Sequence, residues 1–150
     1  MKYQISCIGK AANTPEQNLI DKYLIRINDK VSIKEITFKN DGSKLNIEKE
    51  GEKLLDVSPK DSILILLDKD GKNFSSESLA NMIKFYENEN FKIINFAIGG
   101  PFGHGNIIKS KAKKLMSFGK MTWTHLMARV LIVEQIYRAE SIFKNHPFHK

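Results

Sequence analysis

The chain has 150 residues, of which 41% are hydrophobic and 27% charged, with a net charge of +7. A chain of this length buries about two-thirds of the surface that it exposes when unfolded, so one domain over residues 1–150 needs no disulfide to fold. The lone Cys7, the lack of a secretory signal and the absence of any run near the roughly 20 apolar residues of a membrane span predict a soluble cytoplasmic protein.

Four apolar runs predict strands, at residues 2–8, 32–38, 61–68 and 92–98. The segments between them predict helices. The first begins at the N-cap Thr14 with Pro15 in its first turn and runs to Ile27, the second contains Ile47, Leu54 and Leu55, and the third begins at Ser75 or Ser76. This alternation predicts an α/β fold with a mostly parallel sheet and helices on both faces.

Beyond residue 100 the pattern becomes helical. Ile108, Ala112, Leu115 and Met116 recur at helical spacing and predict one helix over 106–117, and a second, longer helix is predicted over 125–144. Within LMARVLIV of that helix only Arg129 is polar, so the helix needs cover from its own sheet or from a second subunit.

The positive charge is confined to the last third of the chain. Residues 1–100 hold 15 basic and 15 acidic residues, whereas residues 101–150 hold nine basic residues against Glu134 and Glu140. One interpretation is a basic surface that only maintains solubility. The other is a binding surface for a polyanion, which the clustering favours.

The segment AIGGPFGHG follows the strand at 92–98, where parallel sheets bind ligands. Gly99, Gly100 and Gly103 indicate either a tight turn or a close approach of a ligand to the backbone. The spacing matches neither the dinucleotide fingerprint nor a P-loop. The histidines have no partner at a metal-ligand spacing, so no metal site is predicted.

Charged side chains on the last helix form two i, i+4 pairs, His125 with Arg129 and Glu134 with Arg138. A salt bridge explains the second pair, whereas Arg129 in an apolar stretch requires a defined anionic or carbonyl partner. The terminal segment KNHPFHK has two interpretations. It is either an ordinary disordered chain end or a segment whose aromatic residue stacks on a nucleobase.

Taken together, these segments resemble the SPOUT-class methyltransferases, and within them the small family that methylates N3 of pseudouridine in large-subunit rRNA. The resemblance rests on AIGGPFG, on SFGKMTW followed by HLMARVLIVEQIYRA, and on NHPFHK, with weaker support from EKEGEKLL and the first strand ending in IGK. It covers essentially the whole chain. The block from Arg129 to Ala139 is the specific part.

The resemblance implies a C-terminal deep trefoil knot, a homodimer and S-adenosylmethionine as cofactor. Carried over motif by motif, the cofactor-binding residues are Leu67, Gly99, Gly100, Phe118, Gly119, Lys120, Met121, Thr122 and Trp123. Large-subunit rRNA is the implied substrate. Gly103 is assigned to the turn and His104 to the rim of the site.

The candidate catalytic residues are His125, Arg129, Arg138 and His149. His149 or His125 is the candidate proton acceptor, and the arginines are candidate clamps for phosphate or carbonyl groups. The resemblance also implies a composite site, in which the C-terminal tail of one subunit completes the cofactor pocket of the other.

Two departures from the family pattern matter. Thr124 replaces a proline before His125 and is expected to cap the last helix, and Phe148 replaces a tyrosine, which excludes a catalytic hydroxyl there. Two alternatives remain open: a non-catalytic basic RNA-binding module, and a nucleotide enzyme that uses the glycine loop to bind phosphate.

Overall fold

The computed structural model describes residues 1–37 and 46–149, which form five parallel strands and five helices in alternation. The strands are β1 Lys2–Ile8, β2 Val31–Ile36, β3 Ile63–Asn73, β4 Ile93–Ile98 and β5 Lys114–Ser117. The helices are α1 Pro15–Leu24, α2 Ile47–Val57, α3 Ser76–Asn88, α4 Asn106–Lys111 and α5 His125–Phe143. None of the helices in these described ranges is long and apolar enough to cross a membrane.

All pairings in the sheet are parallel, and the strand order is β2-β1-β4-β3-β5. The predicted α/β fold with a parallel sheet and helices on both faces is confirmed. The predicted strand at 32–38 is β2, which ends at Ile36, and the part of that prediction at residue 38 lies outside the described residues.

Side-chain alternation along the strands builds two cores, one on each face. Helices α1, α3 and α5 cover the larger core, where Ile5, Ile65 and Phe96 are fully buried. Helices α2 and α4 cover the smaller one, around Leu54 and Ile108. Cys7 is completely buried in the larger core, as predicted.

A buried polar network fixes the end of α2 to the sheet. The Ser6 hydroxyl donates to Asn95 Oδ1 at 2.9 Å, and the Asn95 amide donates to the Ser58 hydroxyl at 2.7 Å. Gln4 donates to the Val57 carbonyl at 2.7 Å. Satisfied groups of this kind allow only one register between helix and sheet, because any shift leaves them unpaired.

The predicted helix starts are confirmed. Thr14, Ser75 and Thr124 each accept a hydrogen bond from a backbone amide in the first turn of their helix, at 3.0–3.2 Å. The first helix is shorter than predicted, because it ends at Leu24 and not at Ile27. The long helix predicted over 125–144 is α5, His125–Phe143.

One prediction is wrong. The helix over 106–117 ends at Lys111, and residues 114–117 form β5, which pairs with β3. The physical reason is the open edge of β3, whose backbone groups gain partners when β5 adds to it. Leu115 then packs with the core under α2 and α4, whereas Met116 packs with the core on the opposite face.

Candidate active site

A large cavity lined by described residues lies at the carboxyl ends of β3, β4 and β5. It has a volume of about 900 Å³, which is within the range of cavities that hold small ligands. Its walls are β3 from Leu67 onward, where its pairing with β4 ends, the glycine loop at 99–104 and the segment that follows β5. Parallel sheets place ligands at this end, so this cavity is the candidate site.

Two glycines of the loop lie very close to other groups of the chain. A Cβ on Gly99 would lie 2.8 Å from the Gly103 carbonyl oxygen, and a Cβ on Gly100 would lie 2.8 Å from the Glu50 carboxylate. Gly103 has a φ of +78° and donates its N–H to the Gly100 carbonyl at 3.0 Å. The predicted turn at Gly103 is therefore confirmed.

The segment that follows β5 forms the opposite wall. The Ser117 hydroxyl donates to the Gly119 carbonyl at 2.7 Å, and the Trp123 indole donates to the Phe118 carbonyl at 3.3 Å. These bonds hold a loop whose outer side chains remain exposed, with Met121 at 78%. A smaller cavity of about 400 Å³, bordered by α3 and α5, lies against the same segment.

The structure brings most of the predicted cofactor residues together. Leu67, Gly99, Gly100, Phe118, Gly119, Met121, Thr122 and Trp123 all line the larger cavity. Lys120 is exposed and is not part of the lining. Their role in cofactor binding remains a prediction.

The prediction that His104 lies at the rim of the site is wrong. Its side chain is 8% exposed, and Nε2 is 3.2 Å from the Leu67 carbonyl oxygen of β3. Burial lowers the pKa of His104, which favours the neutral ring. The histidine thus fastens the glycine loop to β3 from inside.

His125 and Arg129 lie together on the first turns of α5. The Arg129 guanidinium is fully buried, with Nη1 2.7 Å from the Glu35 carboxylate and Nη2 3.4 Å from the Gly9 carbonyl oxygen. This confirms the prediction that Arg129 has defined anionic and carbonyl partners. His125 lines the larger cavity, and burial together with the nearby charge of Arg129 lowers its pKa.

Arg138 and His149 form a second, separate group. Arg138 Nη2 is 2.5 Å from Glu134, which confirms the predicted salt bridge, and Nη1 is 3.5 Å from His149 Nδ1. His149 Nε2 is also 2.8 Å from Glu77 Oε1, and the Phe148 ring centroid is 4.6 Å from that of Tyr137. Within this chain the tail therefore packs on α5 and on the start of α3.

The two groups are too far apart along α5 to act on one atom within a single chain. Nine residues separate Arg129 from Arg138, which is about 14 Å along a helix. Neither Arg138 nor His149 lines the larger cavity.

Sequence reasoning missed two features near the cavity. Glu35 ends in an ion pair with Arg129, although in the sequence it is one of many charged residues on an edge strand. Asp68 is 5% exposed at its side chain and pairs with Lys109 at 3.4 Å. The one sequence feature that bears on Glu35 is the position of Arg129 in an apolar stretch, because a buried arginine requires an anionic or carbonyl partner.

Comparison with known proteins matches the chain over residues 1–149 to the family described as predicted SPOUT methyltransferases. Similar proteins named ribosomal RNA large subunit methyltransferase H occur in Desulfotalea psychrophila and Acholeplasma laidlawii, each 37% identical over the full length of both chains. The protein of that name from Bartonella henselae is 36% identical over 100% of this chain and 99% of its own. The chain therefore belongs to the SPOUT methyltransferase family.

Proposed function

We propose that this protein transfers a methyl group from S-adenosylmethionine to N3 of a pseudouridine in large-subunit rRNA. The observation that carries the proposal is the cavity at the carboxyl ends of β3, β4 and β5, where His125 and all of the predicted cofactor residues except Lys120 meet. Full-length similarity to proteins named as large-subunit rRNA methyltransferases supports the choice of substrate.

The cavity fits a methyl-donor nucleoside. Leu67, Ile98 and Met116 supply apolar walls, and the exposed backbone of the two loops supplies polar groups. Gly103 and Gly119 both have positive φ, and nothing lies within 4 Å of a Cβ added at either position. Because glycine has no side chain, a ligand can approach the backbone closely at these positions. Backbone amides and carbonyls can then form hydrogen bonds with the ligand.

When bound, S-adenosylmethionine supplies an electrophilic methyl group on its sulfonium. The chain must then remove the N3 proton of the base and exclude water from the reacting atoms. His125 is suited to accept that proton, because its lowered pKa keeps the ring neutral near pH 7. Arg129, which is buried behind His125, supplies a fixed positive charge there.

The separation of the two side-chain groups supports a composite site in a homodimer. Arg138, Phe148 and His149 lie away from the cavity of their own chain, so a partner subunit has to present them if they act on the substrate. In that arrangement Arg138 contacts phosphate or a base carbonyl, and Phe148 stacks on a base. The knot is likewise a prediction from family membership.

Charge on the C-terminal third supports RNA as the partner. Lys111, Lys113, Lys114 and Lys120 are all exposed, so their charges are available to a phosphate backbone. A protein that binds RNA in this way loses affinity steeply as the salt concentration rises.

The test uses large-subunit particles from cells that lack this protein. We expect the wild-type chain with S-adenosylmethionine to add one methyl group to a pseudouridine, located by mass spectrometry of rRNA fragments. His125→Asn should bind the cofactor in calorimetry within about threefold of wild type and lose at least about 100-fold in rate.

If titration with S-adenosylmethionine releases no heat in calorimetry and S-adenosylhomocysteine does not compete, the proposed cofactor is wrong. RNA binding without any cofactor binding would favour the basic RNA-binding module. Stabilisation by ATP or NAD would favour the nucleotide enzyme.

A further inference from the structure

We propose that Glu35 is a positioning residue for this reaction. It holds Arg129 and the loop after β1 in place, and thereby fixes His125 against Gly9 at the cavity wall. The inference rests on the proposed function, because positioning matters only if His125 acts on the substrate. Glu35 does not line the cavity and is not a candidate for contact with the substrate.

One carboxylate oxygen of Glu35 joins three elements. Oε2 accepts a hydrogen bond from Arg129 Nη1 of α5 at 2.7 Å and from the Ala11 backbone N–H at 2.7 Å. Glu35 itself belongs to β2, and Arg129 also donates to the Gly9 carbonyl at 3.4 Å. The loop after β1 is thereby held from both sides.

The ion pair is essential to this arrangement because Arg129 is completely buried. Its exposed fraction is 0%, and its Nε has no hydrogen-bond partner among the described residues. A buried guanidinium that loses its carboxylate is left as an uncompensated charge, which is strongly unfavourable. Burial alone would raise the pKa of Glu35, but the hydrogen bonds from Arg129 and Ala11 outweigh it and hold that pKa below its usual value.

Gly9 provides the surface against which the His125 ring lies. A Cβ on Gly9 would be 3.2 Å from His125 Cε1, and Gly9 has a φ of +98°. Nδ1 of His125 is buried and has no hydrogen-bond partner among the residues that the structure describes. Because Nδ1 is covered, Nε2 is the ring nitrogen available to the cavity.

The charges around His125 come from three elements. Arg129 lies one turn further along α5, Glu35 projects from β2 to pair with it, and Lys10 of the loop acts on Glu35. Cys7 of β1 lies within the fields of both Arg129 and Glu35, and burial raises the pKa of its thiol to about 11, so it stays uncharged. Glu35 is therefore the group that offsets the charge of Arg129 next to His125.

The test is the titration of His125 in Glu35→Gln, monitored through the NMR signals of the histidine C2 protons. The His125 signal is assigned by its absence from the spectrum of His125→Asn. Glutamine keeps the shape of the side chain but removes its charge, so the charge of Arg129 is no longer offset. We expect the pKa of His125 to fall by about 0.3 or more relative to wild type. The acid limb of the kcat profile should move in the same direction, with kcat at pH 7 reduced about tenfold and KM for the cofactor within about twofold.

Glu140→Gln is the matched control. Glu140 is a buried carboxylate on α5, and it accepts backbone hydrogen bonds from Asn28 and Asp29 at 3.0 and 2.7 Å. It lies at the opposite end of α5, so its loss should lower stability and leave the titration of His125 within about 0.1 of wild type.

A His125 titration in Glu35→Gln that superimposes on that of wild type overturns the proposal. If Glu35→Gln does not fold, Glu35→Asp provides the test, because its charge remains but it is too short to hold Arg129 and the Ala11 N–H together. That variant should lose kcat with an unchanged titration, and full kcat would overturn the proposal. The titration uses the protein alone, so a wild-type chain that methylates no rRNA would refute the proposed function without affecting this measurement.

Discussion

At the scale of single residues, the buried polar side chains near the cavity each hold one structural element in place. His104 fastens the glycine loop to β3 at Leu67, and Arg129 fastens α5 to the loop after β1. Such groups are costly to bury unless they are paired, so their presence in the core indicates a position that the fold must specify. Packing of apolar residues alone would not fix these loops as closely.

Two histidines with a lowered pKa, the buried His104 and the half-buried His125, predict that the protein loses stability in mild acid. Burial lowers the pKa of both His104 and His125 below the value of about 6.5 that they have when unfolded. Below pH 6.5 the unfolded chain therefore binds more protons than the folded one, and stability falls as the pH falls. One histidine can contribute at most about 1.4 kcal/mol per pH unit in this range, and the contribution of the half-buried His125 is smaller than that of His104 because solvent screens it.

Urea unfolding at pH 7.5 and pH 5.5 measures this effect. His104→Gln retains a donor for the Leu67 carbonyl but does not titrate, so it should lose less stability between the two pH values than wild type. Equal losses in the two proteins would show that His104 does not contribute.

At the scale of secondary-structure elements, β3 and β5 pair through an irregular register that brings their backbones close at Gly71. Leu67 and Lys72 both pair with Met116, so residues 68–71 bulge out of the strand between them. Gly71 lies in this bulge, and a Cβ added there would be 2.6 Å from the Leu115 carbonyl carbon and from the Met116 nitrogen. Backbone atoms of a paired strand cannot move aside, so this position requires glycine.

Gly71→Ala is therefore expected to destabilise the protein by about 3 kcal/mol or more, or to prevent folding. Gly103→Ala is the comparison, because an added Cβ there has nothing within 4 Å and only the positive φ opposes it. That strain costs about 1–2 kcal/mol. Urea unfolding of both variants should show the larger loss at Gly71, and a similar loss in the two would contradict the backbone clash.

At the scale of the whole molecule, α5 connects the cavity with the C-terminal tail. Its first turns carry His125 and Arg129, and its last turns carry Arg138 and the residues that contact the tail. Its buried side is covered by the sheet and by α1 and α3, whereas Leu131, Glu134 and Gln135 remain partly exposed. A second copy of the chain on this exposed side would bring a second tail to the cavity, as the composite site requires.

Subunit complementation tests the composite site. Deleting residues 146–150 should abolish methylation and leave cofactor binding within about threefold of wild type, whereas a Gly119→Val subunit should keep its tail and lose cofactor binding. When the two variants are mixed in equal amounts, about half of the dimers are mixed, and one site in each mixed dimer combines an intact pocket with an intact tail, so roughly a quarter of all sites regain activity. No recovery on mixing, or full activity after the deletion alone, would contradict a tail supplied by the partner.

The sequence by itself determined much of this protein. Apolar strands and capped helices predicted the parallel sheet, and the glycines after β4 predicted one wall of the cavity, because these signals are local. The second wall, around Trp123, was predicted from the resemblance to SPOUT methyltransferases. Only the tertiary structure decided that residues 114–117 form a strand, that His104 is buried and that Glu35 pairs with Arg129. Each of these depends on a partner distant in sequence, such as the edge of β3 or the loop after β1, and local pattern carries no information about which distant group will be adjacent.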